Sequence, residues 1–359
     1  MEPRITRRLF STLLLAGCAG LGYGGFRALR PSDGPARADE ISYLRIGTGD
    51  VGGVYFRIGG VLANMVSDPG SDSDCDGGGP CGVRGLIAVA QSTGGSVENV
   101  TAIATGALEA GLSQSDVAYW AYRGEELFSG AAVETIRGVA NLYSEAVHMA
   151  VAVDSPIERY EDLRGHRVVV GTEGSGSLIG ARLILAAHGI TFDDFTPIYE
   201  NIGRGTTMLE AGEADAVFVI SGAPTPSLLP LADRVGFRLL PIDAEHAERI
   251  IAEAPFFTRL RITRGQYPGV EDTPTLAVGA QLFVSAALDE EVVFELTRAL
   301  WHPSNRLVLN NGHPVGQRIM LETALHGMAV PLHPGAQRYY DAVGILLDGP
   351  SGGQKPDQE

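Results

Sequence analysis

The chain has 359 residues, 45% hydrophobic and 19% charged, with a formal net charge of −16 and a mean hydropathy of +0.08. That is enough apolar sequence for more than one packed core. The strong negative charge excludes nucleic acid and anionic membrane surfaces as partners, because both attract basic proteins.

Residues 1–38 differ from the rest. Arg4, Arg7 and Arg8 precede an apolar run from Leu9 to Phe26, and a polar stretch follows. This is an export signal in outline, and it implies a periplasmic location. TRRLF fits a twin-arginine signal, LAGC (Leu15 to Cys18) a lipoprotein site, and Ala36-Arg37-Ala38 an A-x-A site. The apolar run continues past Cys18, which favours cleavage near Asp39 and leaves tethering through Cys18 or an uncleaved anchor as alternatives.

From Ile41 onward, short β-branched runs alternate with helical stretches. YLRIG is expected as a strand, VYFRIGGVLANMVS as a helix, LIAVAQS as a strand, SVENVTAIATGALEAG as a helix and AGLSQ as a strand. IRGVANLY and VHMAVAV read as two further apolar segments. After Asp154-Ser155-Pro156 the scheme begins again with RVVVG, SLIGARLILAAHG, FTPIYE, GTTMLEAGE and ADAVFVIS. ATGALEAGLSQS and TMLEAGEADAVFVIS echo one another, which suggests two similar α/β lobes, each a mostly parallel sheet flanked by helices. TLAVGAQLFVS reads as a strand returning to the first lobe. The expected divisions are 39–148 for the first part of lobe 1, 149–271 for lobe 2, 272–347 for the return to lobe 1, and a polar tail at 348–359. Crossings near 146–150 and 268–274 would supply a hinge.

Cys75 and Cys81 lie six residues apart in a Gly-rich loop, and in an oxidising compartment they are expected to form a disulfide. Asp72, Asp74 and Asp76 in the same loop lack the framework of a calcium-binding loop. His302, His313, His326 and His333 are separated by 11, 13 and 7 residues, which fits no metal-ligand spacing, so helix-end or surface roles are expected and no metal site. The chain has no G-x-S-x-G, no G-x-x-x-x-G-K-[ST] and no H-E-x-x-H, and no enzymatic role is read from it.

Gly47, Gly49 and Gly52 form a G-x-G-x-x-G directly after a strand. An NAD-dependent periplasmic enzyme is therefore one alternative. Yet the ribose-binding acid due some 20 residues later would fall in SDPGSDSDCDGGGPCG, where no strand ends at a carboxylate. No cofactor is expected. IGTGDVGGVY, QSTGGSVENV, LSQSDVAYW, GTEGSGSLIG and VISGAPTPS all place Gly, Ser or Thr at a strand end, most of them just before a helix, where ligands of open α/β sheets bind.

IGTGDVGGVYFRIGG, QSTGGSVENV, LSQSDVAYWA, GTEGSGS and VPLHPGAQRYY together resemble the TAXI family of extracytoplasmic solute receptors, which serve TRAP (tripartite ATP-independent periplasmic) transporters. The likeness covers most of residues 41–341. It implies a two-lobed periplasmic-binding-protein fold, type II-like, that closes on glutamate, glutamine or a related dicarboxylate and delivers it to the membrane permease subunits, with the receptor itself a monomer. A ligand sensor on the same fold is a further alternative. Where the family's loop reads G-x-P-G-S-G, this chain has Glu173 in place of the proline, which bears on the ligand's charge.

Cations are sparse in these turns: Arg57 lies inside the first helix and Arg204 in NIGRGTT. Helix N-termini are therefore expected to hold a small anionic or zwitterionic ligand. Carboxylate contacts are assigned to Thr48, Gly52, Ser92, Thr93, Gly94, Ser175 and Ser177, with Tyr55 and Gln114 orienting and Ser221 and Thr225 closing the far side.

Overall fold

A computed structural model describes residues 42–68 and 81–346. The expected signal segment, the tail and Cys75 lie outside the described residues. Lobe 1 begins with β1 (Ser42–Gly47), α1 (Val54–Val66), β4 (Leu86–Gln91), α2 (Ser96–Ala104), β5 (Ala110–Gln114) and α3 (Ser115–Arg123), with β2 (Ser67–Asp68) and β3 (Val83–Arg84) as a short edge. β4, β1 and β5 run parallel. α1 covers one face, and its buried Val54, Ile58, Leu62 and Val66 recur every four residues, the spacing of a single helical stripe.

The chain then enters β6 (Ile136–Ala152), one strand where the sequence reads as two segments. Ser144 and Glu145 interrupt the apolar pattern without breaking the strand. β6 pairs antiparallel with β12 (Thr273–Ser285) up to Ala146, then with β9 (Ala216–Ser221) from Ala146 onward. β12 likewise pairs with β5 over Ala280–Val284 and with β11 (Thr258–Ile262) over Thr273–Ala277. Both long strands therefore pass from one lobe to the other, and the second crossing lies later than 268–274 because β11 still holds residues 273–277 in lobe 2.

Lobe 2 contains β7 (Arg167–Val169), α4 (Gly176–Ala187), β8 (Thr196–Ile198), α5 (Ile202–Glu210), β9, α6 (Leu228–Arg234), β10 (Phe237–Leu239), α7 (Ala244–Glu253) and β11. β8, β7 and β9 are parallel, whereas β10 and β9 run antiparallel to β6. Each lobe is thus a parallel three-stranded set closed by antiparallel strands, a more mixed sheet than expected. Ladder pairing makes the order β3-β2-β4-β1-β5-β12-β6-β9-β7-β8 continuous across both lobes. The cores are separate. One set of buried side chains ends at Tyr143 on β6 and begins again at Ala280 on β12, whereas Ala146 belongs to a second set and Val147 and Val278 to a third, both in lobe 2. The fold is therefore a two-lobed α/β arrangement with two strands shared between the lobes.

α8 (Glu290–Trp301), α9 (Arg306–Gly312) and α10 (Pro334–Val343) return to cover lobe 1. VPLHPGAQRYY has a structural task here. The His333 ring accepts from Gly335 N (3.2 Å), and the Tyr340 hydroxyl donates to Val139 O (2.9 Å). A Cβ on Gly335 would run into the Glu290 carbonyl and lie 2.7 Å from Phe294 N, both backbone atoms of α8. Gly335→Ala is therefore expected to lower stability by about 1–3 kcal/mol, read as an earlier melting transition. Cys81 is buried, and its carbonyl accepts from Asn305 Nδ2 (2.6 Å). No helix among the described residues is long and apolar enough to cross a membrane.

Candidate functional site

A cleft of about 80 Å³ opens between the lobes. Its walls are the N-terminal ends of five helices: Gly53, Val54 and Tyr55 of α1, Gly95 and Ser96 of α2, Gln114 before α3, Ser175 to Ser177 of α4, and Asn201 and Ile202 of α5. The sequence brings them together because each helix follows a strand whose C-terminal end faces the cleft. At α1, α2 and α3 the cap residues Gly53, Gly95 and Gln114 make no side-chain cap. First-turn N–H groups have no intrahelical acceptor, so these ends present donors and partial positive charge to the cleft.

Six expected residues line the cleft: Tyr55, Gly94, Gln114, Ser175, Ser177 and Ser221. The others build its walls. Thr48 is fully buried and its hydroxyl donates to Gln91 O (2.7 Å). Ser92 Oγ donates to Gly49 O (2.9 Å), and Thr93 Oγ1 donates to Asn99 Oδ1 (2.7 Å). Gly52 N donates to Asp50 Oδ1 (2.9 Å). Thr225 Oγ1 donates to Gly222 O (2.9 Å). Thr48, Gly52, Ser92, Thr93 and Thr225 thus stand behind the cleft lining, and their polar groups bond the chain itself, as hydroxyls beside free main-chain groups do. The same holds in part for two residues that do line the cleft: Ser175 Oγ accepts from Leu178 N (3.2 Å) as the α4 cap, and Ser177 Oγ accepts from Ile220 N (3.0 Å).

The floor holds a group that pattern reading missed. Glu145, 2% exposed at the crossing of β6, accepts from the Tyr55 hydroxyl (2.7 Å). Burial pushes its carboxyl up to about 8, against the weaker pull of the Tyr55 bond. Asp116, also fully buried, is pushed up to about 7 by burial. Among the described residues its Oδ2 has no hydrogen-bond partner, nor has Gln114 Oε1. The usable signal for Glu145 was a single carboxylate inside a 17-residue, mostly apolar strand.

Asp50 and Glu200 also line the cleft, and among the described residues no Arg, Lys or His does. Arg57 is exposed on α1, and Arg204 donates to Glu213 (2.8 Å) on the surface. Glu173 is exposed and outside the lining. Cross-lobe bonds hold the walls together: Ser227 Oγ donates to Gly52 O (2.8 Å), Glu98 N to Gly174 O (3.2 Å), and Gly203 N to Asp50 Oδ1 (3.3 Å). The Arg318 guanidinium donates to the Ala223 carbonyl. His302, His313 and His333 cap short helical turns or α10 with ring nitrogens.

Residues 46–344 match the NMT1-like family. The chain belongs to that family. Among solved structures it is similar to the alkanesulfonate-binding protein SsuA from Xanthomonas axonopodis pv. citri bound to MOPS, at 15% identity and a TM-score of 0.41 over 86% of this chain and 81% of that one. A TctC solute-binding protein from Polaromonas matches at 16% identity and a TM-score of 0.43, over 85% of this chain and 98% of that one. The effector-binding domain of a BenM variant matches at 12% and 0.42, over 75% and 94%.

Proposed function

We propose that this NMT1-like chain is an exported solute receptor that closes its lobes on a small zwitterionic carboxylate and delivers it to a TRAP-type permease, as a TAXI receptor does. The observation that carries the reading is the pairing of five helix N-termini with one buried carboxylate, Glu145, in a cleft that no basic side chain lines among the described residues. A ligand carboxylate fits the helix ends, where main-chain N–H groups substitute for an arginine. A ligand ammonium fits Glu145 and the unpaired Gln114 Oε1. Glutamate and glutamine carry both groups; a dicarboxylate without an amine offers Glu145 no cationic partner. In this reading Cys75 and Cys81 are oxidised to a disulfide in the periplasm.

Thermal melting of the purified protein against a panel of amino acids and dicarboxylates tests the proposal. A ligand at 100 times its dissociation constant adds about 2.7 kcal/mol of stability. Amino acids with a free α-carboxylate should raise the melting temperature, and Arg204→Ala should bind them unchanged. Loss of binding in Arg204→Ala, or no response to any member of the panel, would contradict it.

A further inference from the structure

α4 opens on the cleft at Gly176, and at its other end, about 18 Å away at 1.5 Å per residue, His188 caps it. Here three segments distant in sequence converge. Glu161 comes from the turn Tyr160–Leu163, His188 from the end of α4 and His246 from the first turn of α7. Glu161 Oε1 lies 3.3 Å from His188 Nδ1 and 3.8 Å from His246 Nε2. One donor atom from each residue lies within 4.8 Å of the other two. The other nitrogen of His246, Nδ1, is 2.7 Å from Asp243 Oδ2.

We propose that Glu161, His188 and His246 form a site for one divalent transition-metal ion such as zinc, with Asp243 as the residue that positions His246. Donors at about 2.0–2.2 Å from a tetrahedral ion stand roughly 3.3 Å apart, and the two separations from Glu161 are 3.3 and 3.8 Å. Two imidazoles and one carboxylate suit zinc, nickel or copper, whereas calcium and magnesium require an oxygen shell. With His246 Nδ1–H donating to the Asp243 carboxylate, the lone pair of Nε2 is left free on the side of Glu161. Carboxylate–histidine pairs behind metal ligands have this form.

The two imidazoles are stacked, with centroids 3.8 Å apart and planes 10° from parallel, so an ion in the plane of one lies outside the plane of the other. His188 is clamped, since Tyr160 stacks on its other face at 4.3 Å. His246 has 19% of its side chain exposed against 3% for His188, and it is the ring that turns to meet the ion. Binding would tie the end of α4 to α7 and stiffen lobe 2 at a point remote from the cleft.

Untagged full-length protein in metal-free buffer, titrated with zinc, nickel or calcium chloride and followed by calorimetry and melting, tests this site. One equivalent of zinc or nickel should bind and raise the melting temperature, and calcium should do neither. Glu161→Gln and His246→Ala should each weaken binding by about tenfold or more. Asp243→Asn, which retains a helix-capping side chain, should weaken it less. Three results would overturn the proposal: no binding by the unaltered protein, equal binding by both ligand variants, or a melting temperature that responds to pH through these residues and not to metal.

Discussion

Gly176→Val should abolish ligand binding, by roughly 100-fold or more in affinity, while the ligand-free protein melts as before. Gly176 is the first residue of α4 and faces lobe 1 across the cleft. A Cβ there would meet the Gln114 amide, with Cδ at 2.6 Å, and Ser96 Oγ at 2.8 Å. Both are lobe 1 groups, so the clash exists only when the lobes are closed, and an open protein is free of it. A valine adds two methyl groups to that space. Overpacking of this kind costs about 3 kcal/mol at its upper range, which is the hundredfold loss. Calorimetric titration reads the loss, and melting without ligand checks that lobe 2 still folds. Binding that survives within tenfold would mean that the ligand does not require this closed arrangement.

Glu145→Gln should weaken binding of an amino acid by roughly 10- to 150-fold, the cost of removing a charge partner from a buried hydrogen bond. It should also change how stability depends on pH. The carboxyl of Glu145 titrates near 8 in the folded protein, against an ordinary value of 4.5, because burial disfavours its charge. Between those values the folded state holds a proton that the unfolded chain has released. Its contribution to stability is therefore fully present below 4.5 and is lost as pH rises through 8. Asp116, near 7 instead of 3.8, acts in the same direction. His148, held down to about 4 by burial, acts oppositely below 6.5, so the window to examine is pH 6.5–8. Tyr55, Tyr143 and Asp116 face Glu145, and both tyrosines stay protonated throughout that window.

Ligand-free protein should lose stability across that window, by up to about 1.4 kcal/mol per pH unit for each proton involved. The glutamine variant should lose less. When an ammonium docks, Glu145 ionises and one proton leaves, so the affinity of the unaltered protein should rise towards pH 8 and that of the variant should stay flat. Equal pH profiles for the two proteins would remove Glu145 from the site.

The lobes, most strands and the strand-to-helix turns were legible because they depend on short-range pattern: β-branched runs ending in Gly, Ser or Thr ahead of apolar residues at helical spacing. The division of labour within a turn was not legible. GTGDVGG and QSTGGS contain several side chains able to meet an anion, and only the fold decides that Thr48, Ser92 and Thr93 bond neighbouring chain while Gly53, Gly95 and Ser96 face the cleft. Glu145 escaped notice for a different reason. IRGVANLY and VHMAVAV read as two segments with a polar break, whereas the strand runs straight through and puts that break on the hinge, at the floor of the site. The Glu161–His188–His246 cluster was invisible because its members are 27 and 58 residues apart in sequence and meet only through packing of α4 against α7.

In the proposed complex, helix N-termini hold the ligand's carboxylate and Glu145 its amine. A crystal structure with the amino acid that gives the largest thermal shift tests it most directly. The ligand carboxylate should lie within about 2.7–3.2 Å of main-chain nitrogens at the starts of α1, α2 or α4, and the ammonium on Glu145 and Gln114. A ligand whose carboxylate is paired with Arg57, Arg204 or Arg318, or whose amine lies away from Glu145, would contradict it.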